Sequence, residues 1–89
     1  MIKVVRTSSF GRAYKRLVRG RPGLELLFMD KLKVFMNEPF DSSLRTHKLS
    51  GHLKDCYAFS LDHSLRVVFR FSTAELAVFE NIGTHDDVY

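Results

Sequence analysis

The sequence predicts a single α+β domain over residues 1–89, ordered β-α-α-β-β-β, with a two-helix hairpin covering one face of an antiparallel sheet. Three observations predict it. Apolar residues recur at helical spacing from Phe10 to Met36, the period changes to two from about residue 55, and short polar turns break that alternation at 62–64 and 72–74. A chain of 89 residues can bury one modest core and is too short for two.

Residues 2–6, IKVVR, read as a short strand. Thr7, Ser8 and Ser9 follow as candidate helix N-caps, whose side-chain oxygens accept from free backbone N–H groups. Phe10, Tyr14, Leu17 and Val18 then form one apolar stripe, with Arg12, Lys15, Arg16 and Arg19 largely outside it. Gly20 is a natural stop, and Pro22 a natural first-turn residue for a second helix. Leu24, Leu27, Phe28, Leu32, Phe35 and Met36 give its stripe, which Pro39 ends because proline lacks the N–H and disfavours helix just before itself. Tyr57, Phe59 and Leu61, then Leu65, Val67, Phe69 and Phe71, alternate with the other face, and a third strand covers about 76–82. Arg66 and Arg70 fall on the face opposite Leu65, Val67 and Phe69, so both guanidinium groups should be displayed away from the helices.

Charge is uneven. Residues 1–48 hold eleven Lys/Arg against four Asp/Glu, while residues 49–89 hold three against six. The basic half fits nucleic acid or an acidic protein segment as partner. No apolar run nears the roughly 20 residues of a membrane span, and MIKVVRTSSF has no signal-peptide core, so a cytoplasmic protein is expected. The single cysteine, Cys56, excludes an internal disulfide and reads as a structural thiol. The chain has no Gly-rich phosphate loop, H-E-x-x-H or G-x-S-x-G motif. H-x₄-H at 47–52 spans Gly51 in a segment without helical pattern, so it has no metal-binding geometry, and neither a metal nor another cofactor is expected.

The two helices, THKLSGHLKD at 46–55, SLRVVFRF at 64–71 and IGTHDDVY at 82–89 together resemble the RelE/ParE superfamily of bacterial type II toxins, and its YafQ-like branch in particular. The resemblance spans nearly the whole chain and is most specific over 46–71 and at the end. It implies a barnase-like microbial RNase architecture. It also implies an mRNA interferase that needs no metal: the 2′-hydroxyl attacks the adjacent phosphate, often on the ribosome, and translation stops. His47 in H-x-L-x-G and His85 in G-T-H match family histidines, Tyr89 matches the family's C-terminal aromatic, and Arg66 matches the RelE-type arginine at the scissile phosphate. Ser60 and Ser64 stand where YafQ-like proteins carry a histidine and an aspartate. Whether Asp62 or His63, in the turn between them, takes over is open on the sequence.

Such a transfer needs a base for the 2′-OH proton, an acid for the leaving 5′-oxygen and donors for the phosphorane charge. Two imidazoles can be base and acid near neutral pH, and a guanidinium fork matches phosphate geometry. His47, Arg66, His85 and Tyr89 are therefore the candidate catalytic residues, and Lys48, His52, Lys54 and Arg70 the candidate RNA-backbone contacts. The resemblance further implies a cognate acidic antitoxin, in a heterotetramer with an antitoxin dimer, for which Arg12, Lys15, Arg16 and Arg19 are the candidate docking residues. Two alternatives share the fold: a ParE-like inhibitor of DNA gyrase, which needs no catalytic histidines, and an inactive toxin-like binding module.

Overall fold

The computed structural model describes residues 1–89. The chain runs β1 (Lys3–Arg6), α1 (Ser8–Val18), α2 (Pro22–Asn37), β2 (His47–Lys48), β3 (Tyr57–Ser60), β4 (Leu65–Thr73), β5 (Leu76–Thr84) and α3 (His85–Val88). Single 3₁₀ turns at Ser42–Leu44 and Gly51–Leu53 flank β2. The sheet order is β1-β5-β4-β3-β2.

The expected helices form for the expected reasons. Thr7 caps α1, its hydroxyl oxygen accepting from Phe10 N–H at 3.0 Å. The same hydroxyl donates to the Glu80 carbonyl at 3.2 Å, which ties the helix start to β5. Gly20 takes a left-handed φ of +69° in the link, and Pro22 opens α2. Phe35 of α2 is fully buried and meets Phe59, Phe69 and Phe79 of three strands, with ring centroids 5.1, 4.9 and 5.2 Å away. Centroid spacings of this kind are those of favourable aromatic pairs.

The sheet is mixed rather than wholly antiparallel. β2 to β5 are antiparallel neighbours, but β1 lies parallel to β5, with Val4 opposite Ala77. Everything from α1 to β4 serves as the long crossover that a parallel pair requires. Two short elements were not expected from the sequence. His47 lies in the edge strand β2 and His85 starts α3, so neither histidine is in a loop.

The face away from α1 and α2 is not bare. Ala58, Val68 and Val88 form a second buried cluster, against which Leu49, Cys56 and Tyr89 pack. Val88 thus brings α3 down on β4 between Arg66 and Arg70. Burial pushes the half-buried Cys56 thiol up, and Glu80 and Asp55 add to this, so the group is a packing thiol and not a thiolate. No helix is long and apolar enough to cross a membrane.

Gly83 lets α3 fold back. A Cβ there would sit 2.7 Å from Asp87 Cβ and 2.9 Å from Asp87 Oδ2. Gly83→Ala is expected to destabilise the protein by about 1–3 kcal/mol, the usual cost of overpacking. The urea midpoint checks this, and an unchanged midpoint would show that α3 can shift away freely.

Candidate active site

A cavity of about 590 Å³ opens where β4 begins and β5 ends. Arg66 stands on its floor, paired in register with Ser60 of β3 and Gly83 of β5. Its Nε is buried and no protein group accepts from it. The guanidinium carbon lies 6.0 Å from the centroid of the Tyr89 ring. The Tyr89 hydroxyl is also buried without a partner. An unpaired buried donor costs roughly 1–3 kcal/mol, so two of them on residues lining one cavity favour a polar ligand there. Burial pushes the Tyr89 hydroxyl up, with Arg66 opposing, and the phenol stays a proton-bearing donor.

Two histidines reach the cavity from opposite ends of the chain's last half. His85 presents its ring edge-on to Tyr89, with centroids 4.5 Å apart and planes at 90°. Its Nδ1 is 3.6 Å from a fully exposed Asp86 carboxylate, a contact that solvent screening leaves weak. His47 places Nδ1 3.1 Å from the Arg45 carbonyl oxygen. A carbonyl only accepts, so Nδ1 carries the proton and the lone pair of the neutral ring is on Nε2.

The remaining wall is cationic and polar. Lys31 reaches it from α2, and Ser43 and Arg45 from the turn before β2. Arg45 takes a left-handed φ of +53°, where the chain turns into the edge strand. Asp62 and His63 line the opposite side on the β3–β4 turn. Asp62 is committed to that turn: its Oδ1 accepts from Ser64 N–H and Leu65 N–H, both at 2.8 Å, and from the Ser64 hydroxyl at 3.1 Å. Burial pushes the Asp62 carboxyl up, but these hydrogen bonds, with His63, outweigh it and leave the group below its ordinary range.

All four candidate catalytic residues, His47, Arg66, His85 and Tyr89, therefore line one cavity. The candidate RNA contacts do not. Lys48 is exposed on β2, and His52 and Lys54 are exposed in and just after the 3₁₀ turn that follows it. Arg70 shares the Arg66 face as expected, yet its Nε donates to Glu80 at 2.9 Å. A bulge on β5 brings Glu80 there, since Val68 pairs with Asn81 and Phe69 with Phe79. The four α1 residues divide: Arg12 and Lys15 border a shallow depression at the helix start, while Arg16 and Arg19 line a separate cleft at its end. Ser60 borders the cavity, as do the two turn residues beyond it, Asp62 and His63.

Sequence reasoning missed Lys31, Ser43 and Arg45. No local signal marks Arg45, whose left-handed φ of +53° sets it outside the period-two alternation of the strand that follows. Lys31 carries none either, because only the packing of α2 brings it round. Asp87 is not a free tail charge, since its Oδ2 accepts from Thr84 N–H at 3.0 Å. The T-x-x-D of Thr84–Asp87 was the available sign of a capped helix start. No group of three or more His, Cys, Asp or Glu side chains is arranged to hold a metal ion.

The family described as bacterial toxin of type II toxin-antitoxin system, YafQ, matches residues 2–89. The chain belongs to the YafQ toxin family. It is thus a toxin of the RelE/ParE superfamily. YafQ from E. coli strain BL21(DE3) superposes with a TM-score of 0.81 at 16% identity, covering 100% of this chain and 99% of that one. The YoeB/ParE toxin from Agrobacterium tumefaciens gives 0.80 at 19% identity over 94% and 99%. The toxin of the E. coli DinJ-YafQ complex gives 0.72 at 19% over 100% and 99%. No curated protein sequence matches the chain.

The Asp62 turn in this YafQ-family chain has a measurable acid dependence. Asp62→Ala should cost about 1 kcal/mol, as loss of a helix cap does. Asp62→Asn keeps an acceptor and removes the charge. The folded carboxyl titrates below its unfolded value of about 3.9, so the charge-linked stabilisation is complete above that value and is lost as pH falls through the folded one. The gap between the parent and D62N should be widest at neutral pH and close in acid; a gap that stays constant on acidification would remove the charge from the account.

Proposed function

We propose that this toxin is a metal-independent endoribonuclease that cuts mRNA by attack of a 2′-hydroxyl on the adjacent phosphate. One observation carries the reading: the buried Nε of Arg66 and the hydroxyl of Tyr89 are both unpartnered, and both residues line one cavity with His47 and His85. Arg66 holds the phosphate, and its fixed planar fork stabilises the phosphorane charge. His47, with its lone pair on Nε2, takes the 2′-OH proton. His85, protonated, gives a proton to the 5′-oxygen as the P–O5′ bond breaks. The products are a 2′,3′-cyclic phosphate and a 5′-hydroxyl. Tyr89 donates to a phosphate oxygen or stacks on a base. Lys31 and Arg45 join Arg66 in attracting the strand, a role the sequence had given to Lys48, His52, Lys54 and Arg70.

Family resemblance supports two further parts of the reading. The substrate is mRNA presented by the ribosome, and a cognate acidic antitoxin silences the toxin; the similarity to the toxin of the E. coli DinJ-YafQ toxin-antitoxin complex supports such a partner. The antitoxin docks beside Arg12 and Lys15, where the apolar groove between Val5, Phe10 and Met29 offers seats for an amphipathic segment.

Purified toxin, incubated with RNA in EDTA with and without ribosomes, should yield cyclic-phosphate and 5′-hydroxyl ends. His47→Ala and His85→Ala should each lower the rate by about 10²–10⁴ while the unfolding midpoint holds. Arg66→Lys, which keeps the charge without the fork, should fall between the parent and Arg66→Ala. Opposite protonation demands on the two histidines predict a bell-shaped pH–rate profile. Undiminished cleavage in both histidine variants, or products with 3′-hydroxyl ends, would refute the mechanism.

A further inference from the structure

α3 is a single turn with a cavity on each side. His85 and Tyr89 line the one described above; Gly83 and Asp87 line a second, of about 570 Å³, between the end of α1 and β5. Arg16, Arg19 and Arg21 surround this second cleft, with Asn81 on its strand wall. All three arginines are exposed and none is in an ion pair. The one acid present, Asp87, already accepts from Thr84 N–H. The cleft therefore has three guanidinium forks and one engaged carboxylate.

Resting on the ribonuclease reading, we propose that this cleft is a second phosphate-backbone subsite, which grips the RNA strand beyond the linkage held at Arg66. Four residues of helix rise only about 6 Å, so one short single strand can cross α3 and engage both cavities. Guanidinium forks match phosphate bidentately and suit a strand held by its backbone. An acidic protein segment fits less well. Protein partners anchor through large apolar side chains in apolar pockets, and the cleft offers only Ala13, Leu17 and Ile82. The groove that could seat such anchors lies elsewhere, between Val5, Phe10 and Met29.

The test compares fully 2′-O-methylated RNA of three and of twelve nucleotides, which bind without being cut. Binding to full-length toxin is titrated against salt for the parent, for R16Q/R19Q/R21Q and for K3Q/R12Q/K15Q, which removes equal charge outside the cleft. For the twelve-mer, the slope of log K against log salt should fall by about 0.7 for each phosphate left unneutralised, so by about 2 in R16Q/R19Q/R21Q. It should stay near the parent value in K3Q/R12Q/K15Q, and three-mer binding should be the same in all three proteins. An equal fall in both variants, an equal fall for both RNA lengths, or no fall at all would overturn the subsite. So would an unchanged RNA slope in R16Q/R19Q/R21Q together with loss of its antitoxin co-purification, which would give the cleft to an acidic protein; loss of antitoxin in K3Q/R12Q/K15Q alone is the result expected from docking beside Arg12 and Lys15. If the twelve-mer slope depends on the three arginines but the parent cuts no RNA, the ribonuclease reading fails and the backbone subsite stands.

Discussion

The site depends on one helical turn held against the sheet. α3 would be too short to persist alone, since helix nucleation is unfavourable and isolated short helices melt. Three contacts compensate. Val88 is buried against Ala58 and Val68, Asp87 accepts from Thr84 N–H, and Gly83 leaves room for the Asp87 side chain. Once the turn is fixed, His85 and Tyr89 are four residues apart on one face, which is why their rings meet at 4.5 Å. Tyr89 then lies over Arg66, and the cavity has its aromatic wall.

The opposite wall depends on the aromatic core. Phe35 is locked among Phe59, Phe69 and Phe79, so α2 has little freedom to slide along the sheet. That lock brings Lys31, one helical turn before Phe35, to the cavity rim. Leu44, fully buried beside it in the core, anchors the 3₁₀ turn that delivers Ser43 and Arg45. Core packing and site geometry are thus the same constraint seen from two sides of the sheet.

This division explains what could be read from the sequence. Period and punctuation disclosed α1, α2 and the meander, because Thr7, Gly20, Pro22 and the 62–64 turn act locally. The alternation of β4 separated Arg66 from Leu65 and Val67 correctly, since side-chain direction in a strand has a strict period of two. The partner of β1 was not legible: parallel pairing with β5 joins residues more than 70 positions apart, and no local pattern records it. The fate of Arg70 was hidden for a similar reason. One extra residue on β5 brings Glu80 to it, and a bulge on one strand has no signature on the other. Lys31 and Arg16 are both helix cations that local sequence does not separate; tertiary packing alone sends one to the first cavity and the other to the second.

The uneven charge of the chain acquires a physical meaning in the fold. The second half is acidic, yet its carboxylates leave Arg66 unneutralised. Glu80 is held by Arg70, Asp62 by the Ser64 and Leu65 amides, and Asp87 by Thr84, while Asp86 is fully exposed to water. Had any of them reached Arg66, it would occupy the N–H groups and cancel the positive charge that the proposed ribonuclease function requires there. Turn formation, strand bulging and helix capping therefore do more than shape the backbone. Each ties an acid to a local partner, and a guanidinium with a buried, unpartnered Nε remains facing the cavity.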